Sequence, residues 1–403
     1  MSELANKRIL LGMTGGIAAY KAAELSRLLI KDGADVQVVM TDAASHFITA
    51  ATMQGLTGKP VFTDMWDNRV ENGMPHIELS RDRDLVVIAP ASADFIAKLV
   101  QGRADDLLST LCLARECPML VAPAMNRQMW ENPATQRNVA QIRQDGVMVV
   151  GPGSGDQACG ETGMGRMLEP EQILSEVVAW FQPKLLSGTR VLVTAGPTFE
   201  PIDAVRGISN PSSGRMGYAV ARAAIESGAA VTLISGDTCL EPPRGAEVLR
   251  VTTAREMLDA VIARASLSDI VVSVAAVSDY QMANRQEHKI KKSGGGLTLE
   301  LIPNPDILEA VMSRPNPPFC VGFAAESRDL DSNAEEKRRR KKLPLLAANL
   351  VQSALGAQDN ELVLFDDGGR HPLPRSSKLD QARQLVRHIA RLYKPARATS
   401  TAH

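Results

Sequence analysis

The chain has 403 residues, 45 lysines and arginines against 46 aspartates and glutamates, and a formal net charge of −1. Near-neutral charge and an aromatic content of 4% exclude the basic, base-stacking surface of a dedicated nucleic-acid binder. Hydrophobic residues at 44% and charged residues at 23% describe an ordinary soluble protein, long enough for two or three domains.

The five cysteines are odd in number, lack C-x-x-C spacing and have no histidine cluster nearby. That argues against a disulfide framework or a zinc site and fits a reducing compartment. The N-terminus shows no apolar leader, and runs such as 270–277 fall short of the roughly 20 residues needed to span a bilayer. A cytoplasmic protein with no membrane partner is expected.

Residues 8–13 (RILLGM) read as a buried strand, followed by a Gly turn and an amphipathic helix over about 17–31. Strands follow at 35–40, 85–90, 119–123 and 147–150, separated by segments of helical length. This alternation predicts a mostly parallel sheet covered by helices. Pro183, Ser187 and Gly188 interrupt the rhythm near residue 182, and it restarts with a strand at 190–198 and a helix from about Arg215. LLIKDGADVQVV (28–39) and AAIESGAAVTLI (223–234) echo each other as helix end, Gly turn and second strand. The prediction is α/β: two doubly wound Rossmann-like domains, 1–186 and 187–395, with a disordered tail over 396–403.

Four Gly- or Pro-rich loops follow first-domain strands: GMTGGIAAYK, APASADF, APAMNRQMW and GPGSGDQACGETGMGRM. In an open parallel sheet such loops gather at the carboxyl ends of the strands, where ligands bind. Gly12, Gly15 and Gly16 open a helix, an arrangement suited to a phosphate. The pattern is not G-x-G-x-x-G, so a mononucleotide fits better than NAD.

TGGIAAYK (14–21), PASAD (90–94), PAMNRQMW (123–130) and QACGETGMGRM (157–167) together resemble the flavin-dependent cysteine decarboxylases. With the second half included, the chain over roughly 7–393 resembles the bifunctional coenzyme A biosynthesis proteins. These fuse a phosphopantothenoylcysteine decarboxylase to a phosphopantothenate–cysteine ligase. The resemblance implies FMN near Gly15, Gly16, Thr41, Ser92 and Ser109, and a homo-oligomer with flavin at subunit boundaries. It implies His76 as base in the oxidative half-reaction, Asn126 as holder of the substrate carboxylate, and Cys159 as the closing proton donor. An asparagine at 126 would also cap the helix that follows. In the implied chemistry, hydride leaves the thiol-bearing carbon, the resulting thioaldehyde allows carbon dioxide to depart, and the enethiolate is reduced and protonated.

The ligase-like motifs are TAGPT (194–198), VRGISNPSSGRMG (205–217), AAVSDY (275–280), KIKK (289–292), NPDI (304–307) and GFAAES (322–327). By the resemblance, the carboxylate of 4′-phosphopantothenate attacks the α-phosphate of CTP, and cysteine then displaces CMP. Lys289, Asn210 and Arg206 would serve the acyl-cytidylate steps. Asp279, Lys289, Pro305, Asp306, Ile307, Phe323, Lys337 and Lys341 would contact CTP, accompanied by Mg²⁺ whose protein ligands are not assigned. Lys337 and Lys341 stand at i, i+4, a spacing that lets them share a ligand on one helix face. Arg215, Pro211 and Leu350 depart from the family pattern. The alternatives from the residues themselves are a nicotinamide-dependent oxidoreductase, disfavoured by the Gly pattern, and a non-catalytic flavoprotein regulator, which needs none of His76, Asn126 and Cys159.

Overall fold

The computed structural model describes residues 2–70, 73–157, 160–291, 296–326, 328–350 and 359–394. The chain divides into two compact units, Met1–Phe181 and Gln182–His403. Cys159 and the tail 396–403 lie outside the described residues.

In the first unit five parallel strands stand in the order Asp35–Met40, Arg8–Met13, Leu85–Ala91, Met119–Pro123 and Met148–Val149. Ile9 pairs with Val36 on one side and Leu85 on the other. Numbered along the chain, the order is 2-1-3-4-5, the flavodoxin-like form of a doubly wound sheet. Its strands are mostly apolar because both faces are covered. Ile9, Leu11 and Met13 enter one core layer with Leu25 and Ile173, while Leu10 enters the other with Phe95 and Leu108. Each such leucine or isoleucine contributes about 1.5–3 kcal/mol by leaving water. An antiparallel hairpin, Gly153–Asp156 with Thr162–Arg166, follows the last strand.

The main sheet of the second unit has eight strands, in the order Ala246–Arg250, Ala230–Ser235, Arg190–Ala195, Ile270–Ser273, Phe319–Glu326, Leu345–Leu350, Val363–Asp366 and Gly369–Pro372. The first six are parallel and run 3-2-1-4-5-6 along the chain, the Rossmann order; the last two form an antiparallel edge hairpin. The segment between the strand Arg190–Ala195 and the helix Arg215–Glu226 carries a small hairpin of its own, Phe199–Pro201 with Gly207–Ser209. The apolar run 270–277 is strand only as far as Ser273.

The terminal helix Lys378–Leu392 packs on Arg215–Glu226 through a buried ion pair. Arg383 donates from Nε to Glu226 Oε2 (2.7 Å) and from Nη2 to Oε1 (3.2 Å), while Arg222 donates to Oε1 at 2.8 Å. Arg383→Met leaves the buried Glu226 carboxylate short of its main partner, so a loss of about 3 kcal/mol is expected in urea unfolding. A loss below about 1 kcal/mol, the range of a surface pair, would show that the pair is not a stabilising contact.

Among the described residues no helix is long and apolar enough to cross a membrane. Cys112, Cys117, Cys239 and Cys320 are free thiols. Burial pushes the thiols of Cys112 and Cys320 up to about 12, so they behave as small core residues.

Candidate active sites

Both sheets reverse strand order beside their first strand, and each carries a cavity at that point. In the first unit a cavity of about 640 Å³ is lined by Gly15, Gly16, Lys21, Ser92, Asn126 and Arg166, among others. It lies between the loops that follow the first and third strands, where a doubly wound sheet of this order takes its ligand. Thr14 ties those loops together: its hydroxyl donates to Pro90 O (2.9 Å) and accepts from the Ser92 amide (2.9 Å). Ser92 caps the helix Ala93–Gln101 by accepting from the Phe95 amide. The helix Ala19–Lys31 starts without a side-chain cap, so its N-terminal end can receive an anion.

Asn126 both caps and faces the cavity. Its Oδ1 accepts from the Met129 amide (2.9 Å), and its Nδ2 donates to Gln128 Oε1 (2.8 Å). Gln128 in turn donates to Glu161 Oε1 (2.6 Å), which ties the loop to the hairpin side of the cavity. The hairpin docks by the Met125 amide, which donates to Gly165 O (2.9 Å). Gly165 has φ +134°, and a Cβ there would meet Met125 O at 2.5 Å, so only glycine permits this approach.

Lys21 was missed by sequence reasoning, although TGGIAAYK contains it. It is buried and donates to Met167 O (3.0 Å) and Glu169 Oε1 (2.9 Å) across 146 and 148 residues. Its ammonium, chiefly by that hydrogen bond, holds the Glu169 carboxyl below the usual range. A basic residue in a helical motif ordinarily reads as a solvated face, and only the fold reveals the partner.

Three expected residues stand outside the cavity's described lining. Thr41 caps the short helix Asp42–Ser45, accepting from the Ala44 amide, and so backs the Gly15 loop from behind. Ser109 is buried in a reciprocal cap with Asp106 and borders a separate cavity of about 90 Å³. His76, half-buried on Pro75–Ser80, belongs to a helix packed on Leu107–Ala114, which carries Ser109.

The second cavity, about 490 Å³, is lined by residues from four strand ends and the start of the helix Arg215–Glu226. Asn210, Asp279, Phe323 and Lys337 from the expected set all line it. Asn210 Nδ2 donates to Ala276 O and Val277 O (both 3.2 Å), joining the inserted loop to the strand end. Burial, reinforced by the Lys341 charge, pulls the Lys337 ammonium below the usual lysine value. Arg215 lines the cavity beside Lys378 and Asn349, which sequence reasoning missed because they arrive from remote segments.

Lys341 stands near Lys337 but outside the described lining. It forms an ion pair with Asp306, which also caps the helix Ile307–Met312. Burial opposes ionisation of Asp306, yet the Lys341 ammonium and the Glu309 amide hold its carboxyl below the usual range. Pro305 and Ile307 flank it outside the described lining.

Arg206 and Lys289 also stand outside that lining. Arg206 pairs with the buried Asp203 (2.5 Å) and donates to Ile290 O (3.0 Å), while the Ile290 amide donates to Asp203 Oδ2 (3.1 Å). The Arg206 guanidinium above all, with the Val205 and Ile290 amides, holds the Asp203 carboxyl far below its ordinary value. Arg206 therefore anchors the irregular segment that carries the exposed Lys289.

Residues 1–182 match the family model "Flavoprotein", and 186–393 match "DNA/pantothenate metabolism flavoprotein C-terminal domain". Fold and sites thus define a flavoprotein unit joined to a pantothenate-metabolism unit. The chain is 47% identical over 398 residues to the coenzyme A biosynthesis bifunctional protein CoaBC of Vibrio vulnificus, covering 97% of this chain and 99% of that one. It is 45% identical over 399 residues to that of Escherichia coli, covering 97% and 98%. The crystal structure of a CoaBC C-terminal domain is similar at 34% identity and TM-score 0.46, covering 52% of this chain and 97% of that one. The chain belongs to the family of bifunctional coenzyme A biosynthesis proteins, enzymes that combine phosphopantothenoylcysteine decarboxylase and phosphopantothenate–cysteine ligase activities.

Proposed function

We propose that residues 187–395 ligate cysteine to 4′-phosphopantothenate with CTP and Mg²⁺, and that residues 1–186 decarboxylate the product with FMN, in the cytoplasm. The observation that carries this reading is that motif residues remote in sequence, Gly15, Gly16, Ser92 and Asn126, line one cavity at the switch point of a flavodoxin-like sheet.

The residues present fit a flavin mononucleotide. The Gly15 loop lies so close to Ala43 that a Cβ would meet its Cβ at 2.7 Å, and the uncapped helix start beside it suits a phosphate. When bound, FMN supplies a reversible two-electron acceptor. Asn126 grips the substrate carboxylate with a neutral amide, adding no cation that would stabilise the charge that must be lost. Cys159 returns the last proton. His76, outside the single-chain lining, reaches the substrate from a neighbouring copy, consistent with a homo-oligomer.

In the second unit the cations Arg215, Lys337 and Lys378 surround the space for the nucleotide and substrate phosphates. Asp279 is the one carboxylate among the described lining residues, and Mg²⁺ is carried mainly by the triphosphate. The 4′-phosphopantothenate carboxylate attacks the α-phosphorus, pyrophosphate leaves, and the amine of cysteine then displaces CMP. Lys289, on the segment anchored by Arg206, neutralises charge building on the α-phosphate oxygens.

The test is incubation of purified protein with 4′-phosphopantothenate, cysteine, CTP and Mg²⁺, followed by mass spectrometry. Appearance of 4′-phosphopantetheine supports both halves, accumulation of the cysteine amide removes the decarboxylase half, and absence of amide removes the ligase half. Lys289→Gln is expected to slow pyrophosphate release by about 10²–10³-fold. Because Lys289 is exposed, decarboxylation of supplied 4′-phosphopantothenoylcysteine and the melting temperature should not change. Wild-type pyrophosphate release by this variant would remove Lys289 from the chemistry.

A further inference from the structure

The chain has six histidines, and two of them meet one buried aspartate far from either motif set. Asp366 ends the strand Val363–Asp366, His371 lies on its hairpin partner Gly369–Pro372, and His388 lies on the terminal helix Lys378–Leu392. His371 Nε2 is 3.0 Å from Asp366 Oδ1, and His388 Nε2 is 2.7 Å from Oδ2. The two imidazole rings are 4.8 Å apart, centroid to centroid. All three donor atoms lie within 4.8 Å of one another. The Gly368 amide donates to Asp366 Oδ1 at 2.7 Å, which fixes the carboxylate in the turn.

We propose that Asp366, His371 and His388 form a structural site for a divalent transition metal of the Zn²⁺ class. Two imidazole nitrogens and one carboxylate oxygen are a donor set that Zn²⁺ takes with a fourth position open to water. Tetrahedral bonds of about 2.0–2.1 Å place neighbouring donors about 3.3 Å apart; the two imidazoles now reach different oxygens of the Asp366 carboxylate and the three donors lie within 4.8 Å, so the rings turn toward one oxygen by about an ångström to take the ion. Each ring then carries its proton on Nδ1 and turns the Nε2 lone pair to the ion. His388 is largely buried and His371 partly exposed, which leaves the site one open approach. The ion joins the edge hairpin to the terminal helix, whose first residue, Lys378, lines the nucleotide cavity. Neither of the proposed reactions uses these residues.

Untagged full-length protein, stripped with chelator and dialysed against Co²⁺ as a spectroscopic stand-in, should retain about one equivalent per chain. It should show the visible bands of a tetrahedral nitrogen–oxygen field. His388→Gln and His371→Gln, which can keep a hydrogen bond to Asp366, should each lose that equivalent while retaining a native circular dichroism spectrum. Zn²⁺ should raise the melting temperature of the wild type and leave that of the variants unchanged. No retained ion, or equal retention in the variants, overturns the site in favour of a plain hydrogen-bonded cluster. The wild-type spectrum decides even where a variant does not fold: a thiolate-to-cobalt charge-transfer band would place the ion on cysteine and overturn the proposal.

Discussion

Gly15→Val should give protein without bound flavin, with decarboxylation lost and ligation intact. A Cβ at this position falls 2.7 Å from Ala43 Cβ and 3.1 Å from both the carbonyl carbon and oxygen of Ala43. None of these atoms is the end of a flexible side chain, so the loop itself must retreat into the space for the cofactor. Overpacking of this kind costs about 1–3 kcal/mol. Set against flavin affinity, that is a weakening of about 5- to 150-fold, and valine's two further methyl groups favour the upper end. Flavin absorbance per chain after gel filtration measures the first effect, and pyrophosphate release shows that the second unit is untouched. A yellow valine variant at wild-type stoichiometry would mean that the Gly15 loop does not approach the cofactor.

Much of this architecture was legible because parallel strands buried on both faces read as continuous apolar runs. RILLGM, LVVIAP and MLVAP are all such runs, and all are strands. In the second main sheet, Ala246–Arg250, Ile270–Ser273, Phe319–Glu326, Leu345–Leu350 and the hairpin of Val363–Asp366 and Gly369–Pro372 were not expected as strands. The outermost strands, Ala246–Arg250 and Gly369–Pro372, leave one side free and mix charged with apolar residues, whereas Val363–Asp366 is paired on both sides but only four residues long. Strand order was not legible, since it depends on which crossover packs where. The motif loops pointed to the two cavities, because glycine and proline record backbone demands locally. Lys21, Asn349 and Lys378 gave no local sign: each becomes a lining residue only when segments far apart in sequence are brought together. The same applies to Asp366 and His388, 22 residues apart and on different elements. The i, i+4 spacing put Lys337 and Lys341 on one helix face, but the helix Leu330–Arg340 ends before Lys341, and Asp306 engages that lysine.

Asn126 offers the sharper separation of folding from chemistry, because its observed cap and its proposed hold on the substrate carboxylate use different properties of one amide. Capping needs an acceptor for the Met129 amide, which aspartate supplies as well as asparagine does. Holding the substrate carboxylate needs a neutral donor, which aspartate cannot be. Asn126→Asp should therefore keep the wild-type urea midpoint while substrate binding collapses. Two carboxylates about 4 Å apart in an effective dielectric of about 20 repel by about 4 kcal/mol, a rise in KM of about 10³-fold. Asn126→Ala loses the cap, worth about 1 kcal/mol of stability, and one hydrogen bond to a charged group, worth about 1.5–3 kcal/mol of binding. Both substitutions lose the donor to Gln128, so that contact does not distinguish them. Stability should then run asparagine equal to aspartate above alanine, and kcat/KM asparagine above alanine above aspartate. A purely structural asparagine predicts the opposite for the two variants, with activity following stability and alanine the poorer enzyme. Urea titrations and carbon dioxide release measured on the same preparations decide between the two orders, and an aspartate variant with near-normal KM would remove Asn126 from the substrate.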